Sequence, residues 1–326
     1  MIIRLFKSNH YILIVALAII AILMKYYATA VSSCMNNIII MPGFSFFNVL
    51  IGNSGMVSGI AVISLILIES LLLNSLVYNA QLIKKDTYVP ALIYIVLMCS
   101  TNEMMVFNPV LFSNLFLIIA LKGIFRIYDE SLTDKYIFET SFIVAVSSLF
   151  YFPSLIFILL IYISFVVYSL YSLRRWMIAL IGLITPYLYV FTYYYLFNKL
   201  NPFIVGRILP NFRLEVSKIH FNFSWGAFSV ILISIIILGY SFFRYLGKMN
   251  EGVIKVRKFK VVIVWFLLLS LFWFLFAKNH IMQFSMVVIP SVVFISDLFL
   301  SIKKNWFAET LFLLVILTIV YLRVYF

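Results

Sequence analysis

Charge is scarce in this 326-residue chain: 11% of its residues are charged and only 11 are acidic. Soluble domains carry about 25% charged residues, so a soluble globular protein is excluded. Three histidines and two cysteines leave little for a metal cluster or a redox framework, and the eleven glycines form no Gly-rich phosphate loop. His10, His220 and His280 lack helical ligand spacing, and no Ser/His/Asp, Walker or CxxC pattern occurs. No metal, nucleotide or other cofactor site is therefore expected. Low-complexity tracts, heptad runs and internal repeats are also missing.

What is present is apolar surface: 65% of residues are hydrophobic, 18% are aromatic, and the mean hydropathy is +1.14. The apolar residues fall in blocks, several as long as the roughly 20 residues a helix needs to cross a bilayer. Backbone groups in hydrocarbon must be satisfied within the segment, so the blocks are read as helices. Eleven spans are expected: Tyr11–Tyr27, Met56–Tyr78, Val89–Thr101, Val110–Leu121, Ile137–Tyr151, Ser154–Leu173, Trp176–Phe197, Phe223–Leu246, Val261–Phe276, Ile281–Ile302 and Phe307–Tyr321. The fold class is an all-α polytopic membrane bundle forming a single transmembrane domain, with 1–200 as a helical core and 201–326 as C-terminal helices. The third to sixth spans are expected to be short, and Pro186 and Pro290 to kink the spans that contain them.

The formal charge of +13 is read by side rather than by sum. With the N-terminus inside, Lys25, Lys199, Arg207, Arg213, Lys218, Lys278 and Arg323 lie outside, leaving 17 of the 24 basic residues inside. That bias predicts a cytoplasmic N-terminus and, with an odd span count, a periplasmic C-terminus. Nucleic acid is not an expected partner. Arg4, Lys7, the apolar run Ile12–Leu23 and Ala28-Thr29-Ala30 imitate a cleavable signal peptide; Lys25, Tyr26 and Tyr27 interrupt the pattern and favour a retained first helix. Cys34 and Cys99 both fall toward the outer side, either as a pair or as two thiols. The inner loop Gly247–Lys260 sets Lys248, Lys255, Arg257, Lys258 and Lys260 against Glu251, a pattern that attracts anionic headgroups.

Among the acids, Glu103 sits on the outer side in the hairpin Asn102–Asn108. It is either a catalytic carboxylate or a solvated turn residue beside capping asparagines. Glu69 and Asp297 lie within spans, where an ionisable group is a functional candidate by default. Asp297 has Lys303 and Lys304 near it in sequence as pairing partners. Glu69 shares its helix side with Ser70 and Asn74, either as part of a proton-accessible cavity or as a hydrogen-bonded structural acid. Outside, Arg207, Arg213, Lys218, Lys278 and His280 could gather around a lipid phosphate, a geometry that suits Arg, or make ordinary headgroup contact. The runs Phe150-Tyr151-Phe152 and Tyr193-Tyr194-Tyr195 mark outer helix ends, as an interfacial belt or as a sugar-stacking platform.

Two stretches carry a resemblance. Asp86-Thr87-Tyr88-Val89-Pro90 through Asn108-Pro109-Val110-Leu111-Phe112-Ser113-Asn114, with Ser147–Ser154 and Thr185-Pro186-Tyr187-Leu188, resembles an uncharacterised family of multi-pass inner-membrane proteins from Bacteroidota over residues 70–200. That likeness implies localisation and no chemistry. The order of features (a first span, a long outer loop, a second span ending in a basic turn, and two short helix pairs about outer hairpins) resembles the C-type (GT-C) membrane glycosyltransferases. These take sugars from polyprenyl-phosphate carriers at the outer face and place an acid in the first outer loop. Here Ala30–Gly55 contains no carboxylate. The reading is of a GT-C-like protein binding a polyprenyl-linked glycan or another anionic lipid, with catalysis left open. The alternatives are a scaffold subunit of an envelope complex and a proton-coupled transporter using Glu69.

Overall fold

A computed structural model of the chain describes residues 2–7, 10–26, 40–51, 55–83, 87–129, 133–212, 225–276, 280–302 and 305–325. Every regular element among them is helical, as expected of a chain whose peptide groups have few polar side chains to turn to. The α-helices are α1 Ile2–Phe6, α2 Ile12–Tyr26, α3 Pro42–Ile51, α4 Gly55–Asn79, α5 Val89–Met98, α6 Pro109–Asp129, α7 Thr133–Phe150, α8 Ile158–Tyr168, α9 Leu173–Leu196, α10 Leu200–Phe203, α11 Leu209–Phe212, α12 Trp225–Gly247, α13 Ile254–Phe276, α14 His280–Ser301 and α15 Asn305–Tyr325. Two 3-10 turns, Glu103–Met105 and Phe152–Phe157, shape the hairpins, and a π-helical turn, Ile204–Ile208, separates α10 from α11.

Each of the eleven expected spans coincides with a helix. Four of these helices are long and apolar enough to cross a membrane: Gly55–Asn79, Pro109–Tyr128, Leu173–Leu196 and Met282–Ser301. The expectation of four short middle helices needs correction. α5 and α8 are short, with 10 and 11 residues, but α6 has 21 and α7 has 18. The apolar run of α6 ends at Leu121, yet the helix continues through Lys122 and Arg126, because Lys and Arg are good helix formers. Composition marks where the apolar stretch stops, not where the helix does. Pro186 and Pro290 both lie inside unbroken helices.

Local chemistry explains the boundaries. The Leu111 N–H donates to Asn108 Oδ1 at 3.0 Å and Pro109 opens α6, an N-cap followed by proline at the first helical position. Asn102 makes no side-chain cap bond at its 3-10 turn; the Met104 N–H donates to Thr101 Oγ1 at 3.4 Å instead. Between α12 and α13 the chain turns through Gly252 at φ +100°, a conformation open to glycine.

α7 is gripped from both sides, and it packs more extensively on α6 and α9 than any other helices pack on each other. Gly123 of α6 lies directly against the Thr140 side chain. A Cβ on Gly182 of α9 would stand 2.7 Å from the Phe138 carbonyl oxygen and 3.0 Å from Ser141 Cβ. Small residues let helix backbones approach this closely in membranes. α14 runs through the centre, with 78% of its apolar window buried, whereas 17% of the α9 window is buried and the rest faces outward.

The bundle has two chemically different ends. At the basic end Phe125 stacks on Phe259 at 4.3 Å, Tyr128 meets Tyr168 at 5.2 Å, and Arg174 and Arg175 pair with Asp134 at 3.2 and 3.5 Å. At the hairpin end Phe44, Phe47, Phe107, Phe112 and Phe150 form one aromatic cluster. Phe150, Tyr151 and Phe152 are buried there, so they are core rather than the interfacial belt expected of them.

Overpacking a tight core costs about 1 to 3 kcal/mol. Gly182→Ala should therefore lower the thermal midpoint of the detergent-solubilised protein. Gly239→Ala should leave it unchanged or raise it, because nothing lies within 4 Å of a Cβ there and Ala is the better helix former.

Candidate functional site

The segment Ala30–Gly55, expected as a long outer loop, contains α3. This helix is apolar on both faces: Phe44, Phe47 and Ile51 turn inward, while Phe46, Val49 and Leu50 are exposed. Gly43 sets the depth of the contact, since a Cβ there would lie 3.0 Å from the Leu149 carbonyl oxygen and 3.2 Å from the Phe150 ring. α3 thus seats on the end of α7, whose other flank carries α9.

Between α3 and α9 runs an open groove of about 560 Å³, a size ordinary for a small-molecule or lipid-chain site. Pro42, Ser45, Phe46, Val49 and Leu50 form one wall, and Tyr189, Val190, Tyr193 and Tyr194 form the other. The ring of Tyr194 stacks on buried Phe203 at 4.3 Å, nearly parallel. Its hydroxyl accepts a hydrogen bond from Arg207 Nη1 at 3.3 Å. Arg207 belongs to the π-helical turn, a rare variant frequent at functional sites. Asn211 Nδ2 steadies that turn by donating to the Arg207 carbonyl at 2.6 Å.

Of the expected phosphate ligands, Arg207 stands beside this groove. Arg213, Lys218 and Lys278 lie outside the described residues, and His280 is placed as the first residue of α14. Glu103 occupies the 3-10 turn of the α5–α6 hairpin, partly exposed. Lys25 Nζ of α2 donates to the Met105 carbonyl in the same turn. Glu103 is therefore held beside α2, and Arg207 beside α9. Cys99 is a buried thiol with Sγ 3.5 Å from Met105 Sδ; Cys34 lies outside the described residues.

The two intramembrane acids meet different surroundings. Asp297 Oδ2 accepts from Lys248 Nζ at 2.9 Å, with both side chains largely covered. Its partner thus comes from the α12–α13 turn; Lys303 and Lys304, the expected partners, lie outside the described residues. Glu69 is fully buried and accepts from the Tyr94 hydroxyl of α5 at 2.7 Å, while its Oε1 has no partner. Ser70 and Ser64 bond back to their own helix at Leu67 and Ala61, and the buried Asn74 Oδ1 is also unpartnered. The polar side expected along α4 therefore does not converge on Glu69. The partner came from a tyrosine inside an apolar run, which no spacing in the sequence marks.

The basic cluster expected on the inner side is partly structural too. Lys260 Nζ donates to the carbonyls of Lys248 and Glu251, at 2.7 and 3.3 Å, and closes the end of α12. Lys255 and Lys258 lie over the rings of Phe259 and Tyr128, at 5.6 and 5.1 Å, in cation–π contact.

The chain belongs to a family of unknown function, DUF6427, which matches residues 29–325. No curated protein and no solved structure matches it. The family match extends well beyond residues 70–200, where the sequence resemblance lay, and takes in both walls of the groove, Arg207, Glu69 and the Lys248–Asp297 pair.

Leaving one half of a covered ion pair unpaired costs more than the pair itself contributes. Asp297→Ala and Lys248→Met should each destabilise the purified protein, by between about 1 kcal/mol, as for exposed pairs, and about 3 to 5 kcal/mol, as for buried ones. The double variant should recover part of the loss. Additive losses in thermal denaturation would show that the two groups do not interact.

Proposed function

We propose that this protein is a multi-pass bacterial inner-membrane protein, as in Bacteroidota, that binds a polyprenyl-phosphate-linked or other anionic lipid at its periplasmic face. In this reading the long apolar helices cross the bilayer, the 10-residue α5 reaches only part of the way through it, the basic end is cytoplasmic, and the hairpin end with its groove faces outward. The observation that carries it is the groove between α3 and α9 with Arg207 bound to its Tyr194 wall.

The chemistry of the two parts fits one amphiphile. Phe46, Val49, Leu50, Tyr189 and Tyr193 are exposed and offer an apolar trough to a lipid chain. Arg207 stands next to the hydroxyl of Tyr194, where a phosphate could accept bonds from both. No acid occurs in the sequence between Glu139 and Glu215, so α9, α10, α11 and the π turn bring Lys199 and Arg207 to this corner without a carboxylate of their own. α3 supplies none either. That balance favours an anionic headgroup.

It also bears on catalysis. The likeness to GT-C enzymes rests on the order of helices and loops, and the groove is lined by no acid. Glu103, the outer acid considered for catalysis, is held at the α2 side of the hairpin end. The reading is therefore a lipid-binding protein with GT-C-like architecture, in which binding rather than turnover is the function.

A charge-assisted hydrogen bond contributes about 1.5 to 3 kcal/mol, or roughly 10- to 100-fold in affinity. Native mass spectrometry of the protein extracted from its own membranes should show a stoichiometric polyprenyl phosphate or other anionic lipid. Arg207→Ala should reduce its occupancy by that factor. Bulk phospholipid alone, together with co-purifying proteins, would replace this reading with a scaffold in an envelope complex.

A further inference from the structure

Glu69 is the buried acid that the groove does not use. It lies inside a 25-residue helix with mean hydropathy 2.4 over its apolar window, and it has no exposure. Asp297 shows how this bundle treats an acid that serves only to hold the fold: it supplies a lysine. Glu69 receives none. α4 packs against α2, α3, α5 and α6. From α5 the facing group is the Tyr94 hydroxyl, and from α6 it is the Leu115 backbone. α3 contains no titratable residue, and the titratable residues of α2 lie at its far end, where Lys25 reaches Gly59. A permanent carboxylate in such a place would cost several kcal/mol, with hydrogen bonds but no cation to offset it.

We infer that Glu69 is a proton-binding site, a carboxyl that takes up and releases a proton within the bundle, held by the Tyr94 hydroxyl at Oε2 and open at Oε1. On release the electron pair stays on the carboxylate, which the Tyr94 O–H continues to hold at Oε2. On uptake the proton returns to Oε1, the oxygen without another partner. This inference stands independently of lipid binding, because it rests on α4, α5 and α6 rather than on the groove.

The test is infrared absorption of the whole protein reconstituted in liposomes, in light and heavy water, across a pH series. Wild type should show a protonated-carboxyl band that changes with pH and shifts on deuteration, and that is absent from Glu69→Gln. Tyr94→Phe, which keeps the acid and removes its hydrogen-bond donor, should move the band even if Glu69→Gln does not fold. A carboxyl spectrum identical in wild type and Glu69→Gln, a band unmoved in Tyr94→Phe, or a band insensitive to both pH and heavy water would overturn the assignment.

Discussion

The close approach of α7 to its two neighbours is the contact on which the rest of the bundle depends. Gly182 brings α9 against the α7 backbone at Phe138, Gly123 of α6 takes the Thr140 side chain of α7, and α7 in turn presents Leu149 and Phe150 as the seat for α3. The groove exists because α3 and α9 rest on the same helix. In a membrane there is little hydrophobic drive between helices, so packing of small residues carries the association. The aromatic cluster around Phe112 and Phe150 then fills what the glycines leave open at the hairpin end.

Charge is distributed with similar economy. At the basic end, Lys248, Lys260, Arg174 and Arg175 are engaged with Asp297, helix-end carbonyls and Asp134, so much of what reads as a topological excess of positive charge also ties helix ends together. At the hairpin end, Arg207 is presented on a π turn beside an aromatic wall. In the middle, Glu69 has a hydroxyl where Asp297 has a lysine. The three sites differ in which charges the fold neutralises internally.

The existence of the helices was legible from hydropathy, because each apolar block overlaps a helix. Their lengths were less so: α6 runs past its apolar stretch on Lys122 and Arg126, which favour helix regardless of burial. α3 was hidden in what reads as a loop, although Pro42 followed by Phe44, Phe47 and Ile51 carries a start signal and an inward face. Arg207 was legible as a cation on the less basic side. Its relation to Tyr194 was not, since it depends on a π turn and a stacked Phe203. The Tyr94 partner of Glu69 was illegible for a similar reason: a tyrosine among apolar neighbours gives no hint of which helix it will face.

The central claim is that α3 and α9 face each other across a groove open to the periplasm. Its most direct test is a double-cysteine variant, Leu50→Cys with Tyr193→Cys, in a Cys34→Ser, Cys99→Ser background, treated in intact cells with a membrane-impermeant bifunctional thiol reagent. The expected result is an intramolecular cross-link without lysis. A cross-link that forms only after the inner membrane is opened would contradict the orientation, and two labelled but unlinked cysteines would contradict the groove.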